Sequence, residues 1–235
     1  MRTKTDLESV KKFAGILIYL ELNQVSDMPM FVNHPYTTSA FVCQNGKMLN
    51  LLESIEDRKT WEMYLKKMIS NIKEYDEFAT IITKSYRSVF INETLRYIGN
   101  KDLAKYLRKL LISCDYVNVD QVISKSKYVS LFKQADKSAL MNENEIQRIG
   151  DLPDNVTIYR GINDITNHPV NGLSWTLDIN TANWFANRFA KMEKCTASVY
   201  KATIKKEDIL SYFDEEKEVV VDYKKLENVE KINGA

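Results

Sequence analysis

Three short polar clusters near the end of the chain hold residue types from which a nucleotide-handling site is built. Arg160 stands in Tyr159-Arg160-Gly161, and Ser174 and Thr176 stand in Ser174-Trp175-Thr176. Glu216 and Glu218 stand in Glu216-Lys217-Glu218, which runs into Val219-Val220-Val221. A guanidinium grips a phosphate with paired donors that an ammonium lacks. Hydroxyls two apart on a strand share one face, where they can satisfy ribose or carboxylate groups. A carboxylate at the rim of a rigid strand stabilises positive charge developing on a sugar, as in glycoside cleavage. An arginine, a hydroxyl pair and a glutamate pair, in that order, are what a pocket needs to hold a dinucleotide and break its glycosidic bond.

Each cluster also has a plainer reading. Arg160 ends an inward-facing row of Val156, Ile158 and Arg160, where it would equally serve as a structural clamp on a carboxylate or carbonyl. Ser-x-Thr is common on strands. The run Asp214-Glu215-Glu216-Lys217-Glu218 also suits a solvated surface. His34 and His168 are isolated and read as loop residues.

The elements that must position these groups change character near residue 150. Before it, apolar residues recur at helical spacing. Thr5 with Glu8 marks a helix start, and Val10, Phe13, Ile16, Leu17 and Leu20 carry that helix towards Asn23. Pro29, Pro35 and Asn45-Gly46 make the stretch from Met28 to Gly46 loop or short strand. Further helices are predicted over 51–73, 78–98, 100–111, 120–135 and 138–149, the last stopping at Gly150. After it, Val156–Tyr159, Leu173–Leu177, Ala197–Ile204 and Glu218–Val221 read as strands. Asp178 caps a helix whose inner stripe is Ala182, Phe185, Ala186 and Phe189.

Taken together, Tyr-Arg-Gly, Leu-Ser-Trp-Thr with Ala182 and Phe185-Ala186 behind it, and Glu-x-Glu-Val-Val-Val resemble the arginine-serine-glutamate class of mono-ADP-ribosyltransferases of bacterial toxins and phages. The resemblance spans roughly residues 155–223 and implies a split β-sandwich around an NAD cleft. It implies that Arg160 binds an NAD phosphate, with Gly161 beside it in the dinucleotide-binding set. Ser174 would support the nicotinamide ribose side and Thr176 would brace the cleft. Glu218 would be the catalytic glutamate, and Glu216 would select or activate the acceptor. Arg160 and Ser174 lie fourteen positions apart, closer than the family usually shows.

Composition sets the outer bounds. With 44% hydrophobic and 28% charged residues, the chain has the make-up of a soluble globular protein. Its 33 basic residues balance 32 acidic ones, so bulk charge draws it to neither nucleic acid nor an anionic membrane. Cys43, Cys114 and Cys195 are widely spaced and form no zinc set with two histidines, so they read as reduced, structural thiols of a cytoplasmic protein. The apolar run from Phe13 to Leu20 is too short to span a bilayer, and the early acidic residues do not suit a signal peptide.

The expectation is therefore an α+β protein. A helical region over 1–150, for packing or target recognition, precedes a small ADP-ribosyltransferase-like domain over 151–235. Its activity would be transfer of ADP-ribose from NAD to a macromolecule, a protein by the Glu-x-Glu pair, in a toxin or phage effector. The rival is a binding protein or phage-encoded inhibitor that keeps the fold without the chemistry.

Overall fold

Asp6 starts the first helix, one residue later than the sequence pattern suggests. Its carboxylate accepts the amide of Ser9 at 3.1 Å, while the Thr5 hydroxyl is taken by the amide of Gly99 at 2.9 Å. A carboxylate at a helix N-terminus satisfies free amides and the helix dipole together. The computed structural model describes residues 3–113, 120–164, 170–188, 196–215 and 217–232. It divides into two compact units, Met1–Ser113 and Cys114–Ala235.

In the first unit, helix α1 (Leu7–Leu17) is followed by strands β1 (Asn23–Val25), β2 (Met28–His34), β3 (Thr37–Ser39), β4 (Phe41–Gln44) and β5 (Lys47–Asn50). Strands β1, β2 and β3 form one antiparallel sheet, and β4 and β5 form a hairpin. Asn45 and Gly46, at φ 51° and 78°, turn that hairpin. Two left-handed residues match the twist of the flanking strands, which is why Asn-Gly is a hairpin signal as well as a loop signal. Helices α2 (Ile55–Asn71), α3 (Phe78–Ile81), α4 (Arg87–Thr94) and α5 (Asn100–Ser113) complete the unit. The helix predicted over 78–98 is thus broken, with Ile82 extended after α3. Aromatic residues still pack there: the ring centroids of Phe78 and Phe90 lie 4.9 Å apart, and next to them those of Tyr75 and Tyr106, which flank that range, lie 5.0 Å apart.

His34 ends β2 and is 1% exposed, so it belongs to the core and not to a loop. Its Nδ1 accepts the amide of Tyr36 at 3.2 Å, and its ring meets Trp61 edge-on at 5.2 Å. Burial, with Arg58 adding to it, lowers its pKa from 6.5 to about 4, so the ring is neutral at physiological pH. Cys43 is a free thiol and lies exposed on β4; Cys114, Cys195 and His168 lie outside the described residues.

The second unit begins with helices α6 (Lys125–Gln134), α7 (Lys137–Leu140) and α8 (Glu143–Gly150). Then come β6 (Asn155–Asn163), β7 (Ser174–Thr176), α9 (Ile179–Asn187), β8 (Ala197–Lys205), β9 (Ile209–Phe213), β10 (Glu218–Val221) and β11 (Glu227–Ile232). The boundary expected at 150 is not where the units part. Gly150 ends a helix, but α6 to α8 remain bound to the strands that follow. Lys133 on α6 pairs with the buried Asp222 at 2.7 Å, and Met141 Sδ accepts the amide of Tyr212 at 3.2 Å. A shift from helical to strand pattern marks a change of element; packing decides where a domain ends.

The six strands form one antiparallel sheet in the order β11-β8-β6-β7-β10-β9. Nine residue pairs join β6 to β8, from Asn155↔Lys205 to Asn163↔Ala197. A single pair, Tyr159↔Thr176, joins β6 to β7. The sheet is therefore two three-stranded halves held at one seam. Helix α9 covers one face of the first half, where Ala182, Ala186 and Val199 pack with Tyr159, Ala197 and Ile232. Its approach depends on Gly161, where a Cβ would overlap the carbonyl oxygen of Ala182 and stand 2.6 Å from the amide of Ala186.

Candidate functional site

Burial along β6 alternates, and Val156, Ile158 and Arg160 face inward. Arg160 comes directly after Tyr159, the residue at the seam. Its guanidinium reaches across to β7, where Nη1 donates to the backbone carbonyl of Ser174. The same guanidinium lies against Gly172, where an added Cβ would stand 2.8 Å from Nη1 and nearer still to Cζ. Arg160 is 7% exposed, and its Nε has no hydrogen-bond partner among the described residues. A buried, unpaired N–H is costly, and native proteins rarely leave one without cause.

Ser174 is the link between the arginine and the glutamate. Its carbonyl takes the guanidinium, and its hydroxyl donates to Glu218 Oε1 on the neighbouring strand β10. The register explains the reach. Thr176 stands opposite Glu218 and Ser174 opposite Val220, so Ser174 and Glu218 are diagonal neighbours on one face. Thr176 sits at the seam itself, and its Oγ1 accepts the amide of Asp178 at 3.2 Å. Asp178 then caps α9 through the amide of Asn180 at 2.9 Å. On the opposite side of β7, Trp175 is buried and its indole N–H donates to the Gly172 carbonyl at 3.0 Å.

Burial lowers the Arg160 pKa from its ordinary value to about 10, and the Glu218 carboxylate works against that shift. Arg160 therefore remains a cation at neutral pH in a setting poor in water. The turn before Glu218 is fixed as well. Lys217 has φ 48°, its amide donates to the Asp214 carbonyl at 3.3 Å, and its own carbonyl accepts the amide of Leu177 at 3.0 Å. Its ammonium meets Asp178 at 2.6 Å and, by that hydrogen bond above all, holds the Asp178 carboxyl below its usual range.

Arg160, Ser174, Thr176 and Glu218 are thus gathered at the seam of one sheet. Gly161 is placed differently from the expectation: it lies under α9, and helix packing accounts for its missing side chain without any ligand. Glu216 lies outside the described residues. Phe185, expected in the buried stripe of α9, is only half-buried beside the exposed Trp184. Sequence reasoning also passed over Gly172, whose bare backbone admits the guanidinium. A glycine two residues before the Ser-x-Thr strand was the available signal.

No family profile, curated protein or solved structure matches this chain. Among the described residues, no group of three His, Cys, Asp or Glu side chains is placed to hold a metal ion, and no helix is long and apolar enough to cross a membrane.

Proposed function

We propose that the chain is a mono-ADP-ribosyltransferase that uses NAD as substrate and a protein as acceptor. The observation that carries this reading is the continuous link from the Arg160 guanidinium through Ser174 to the Glu218 carboxylate. The orphaned Nε of Arg160 supports it further, because a buried cation with a spare donor suits a phosphate. The near-separation of the sheet at Tyr159↔Thr176 supports the finer fold expectation of a split β-sandwich.

Each residue then has a task. Arg160 would hold the NAD pyrophosphate. The Ser174 hydroxyl fixes the Glu218 carboxylate in place, and Thr176 braces the seam beneath it. As the bond between ribose and nicotinamide breaks, its electron pair leaves with neutral nicotinamide, so no general acid is needed. Glu218 stabilises the positive charge left on the sugar. Glu216 would orient the acceptor nucleophile or take its proton. Such an activity suits an effector directed at host or competitor machinery.

A second reading is favoured by one observation. Arg160 is covered, and its guanidinium already clamps the Ser174 carbonyl, as a purely structural arginine would. The chain would then be a transferase-like binding protein without catalysis. Incubation with NAD labelled in its adenylate and with cell lysate separates the two. Label on protein in the unmodified chain, reduced at least about 100-fold in Glu218→Gln, is the outcome expected of the enzyme. Absence of both labelling and NAD turnover would leave the binding protein standing.

A further inference from the structure

We propose that Glu145, a carboxylate of α8, is a positioning residue for Glu218; this inference rests on the transferase reading. Glu145 is 0% exposed, and its two oxygens are used by different parts of the unit. Oε2 accepts the amide of Asn142 at 2.8 Å, while the Asn142 side chain accepts the amide of Glu145 at 2.9 Å. That reciprocal pair caps α8. Oε1 instead accepts the amide of Asp214 at 3.3 Å, sixty-nine positions along the chain.

Asp214 opens the turn that delivers Glu218. The Asp214 carbonyl receives the Lys217 amide, and Phe213 and Glu218 stand opposite each other across the strand pair that the turn connects. The far end of the turn is tied to β7 and α9 through Leu177 and Asp178. The near end is tied to α8 through Glu145. A carboxylate must be held within about half an ångström to act on a transition state. Loss of either tie lets the turn, and with it the β10 end that bears Glu218, shift against Ser174. The Arg160 grip lies elsewhere in the sheet and does not depend on this tie.

The two oxygens allow the capping role and the positioning role to be separated by kinetics of NAD hydrolysis and amide exchange. In Asn142→Ala the cap is lost but the Asp214 tie remains. In Glu145→Gln the amide oxygen still serves Asp214, while the amino group cannot accept from Asn142. Glu145→Ala removes both. The expected result is a kcat lowered roughly tenfold in Glu145→Ala, with KM for NAD changed less than about twofold. Asn142→Ala and Glu145→Gln should keep kcat within about twofold, even where their thermal stability falls. Exchange at the Asp214 amide should quicken in Glu145→Ala alone. Equal kcat losses in Asn142→Ala and Glu145→Ala would reduce Glu145 to a cap and overturn the proposal. If Glu145→Ala does not fold, an equal kcat loss in Glu145→Gln and Asn142→Ala, with Asp214 exchange unchanged in both, overturns it as well. Absence of NAD turnover in the unmodified chain would defeat the transferase reading and the positioning role with it. Unchanged Asp214 exchange in Glu145→Ala would defeat the tie on its own terms.

Discussion

His34 in the first unit and Arg160 in the second are buried side chains that can carry positive charge, and the two are treated in opposite ways. Among the described residues, they are the Lys, Arg and His side chains that fall into the buried class. The imidazole escapes the cost of burial by shedding its proton, and it settles against Trp61 and the amide of Tyr36. The guanidinium has no such escape. It keeps its charge and is set beside a carbonyl dipole and a carboxylate instead. A buried group that can discharge is explained by packing. One that cannot must be matched by negative charge, and that need is what draws Ser174 and Glu218 to the same place.

The sharpest way to break this contrast is to remove the charge. Arg160→Met should destabilise the second unit by about 4 kcal/mol, because it strands a carboxylate in a partly buried setting. The double variant Arg160→Met with Glu218→Gln should recover more than half of that loss in denaturant titration. Simple additivity of the two would show that the charges are not coupled. Next in size is a pH effect confined to the first unit. The His34 pKa is lower in the folded chain than in the unfolded one, so the unfolded chain takes up a proton first. The His34 contribution is whole above pH 6.5 and fades as pH falls towards about 4. It amounts to at most about 3 kcal/mol. Thermal unfolding between pH 7 and 4, followed by exchange of the β2 amides, measures it, and His34→Leu should flatten the curve.

A smaller effect comes from Gly172→Ala. The new methyl meets the end of a flexible side chain, so the fold persists while the guanidinium is displaced. On the transferase reading, NAD affinity by calorimetry should fall roughly tenfold, about 1.4 kcal/mol. Smallest is His34→Leu at pH 7, which leaves the Tyr36 amide without its acceptor at a cost of about 1 kcal/mol. A loss as large as that of Arg160→Met would erase the distinction between the two buried groups.

Much of the second unit could be read in advance because its signals are local. Alternation exposed β6, Asp178 marked the start of α9, and the valines after Glu218 marked β10. Strands β9 and β11 escaped for different reasons. Ile209–Phe213 is buried at every position, so it has no alternation to see. Glu227–Ile232 is an edge strand of mostly exposed residues with little apolar content. In the first unit, Pro29 and Pro35 obscured β2, which ends at a histidine whose burial depends on Trp61, far away in sequence. At the site, the residue types were legible, and their convergence was not. It depends on the register of Thr176 against both Tyr159 and Glu218, which is a long-range fact.

A sheet is stiff in proportion to the backbone rungs that cross it, and between β6 and β7 a single backbone pair, Tyr159↔Thr176, is backed by the Arg160 side chain alone among the hydrogen bonds described above. The most compliant line in the second unit therefore runs between the arginine and the glutamate. Any small molecule gripping both would act as a splint along that line. Its arrival would be felt as slower opening and slower proteolysis of the whole unit, well beyond the atoms it touches.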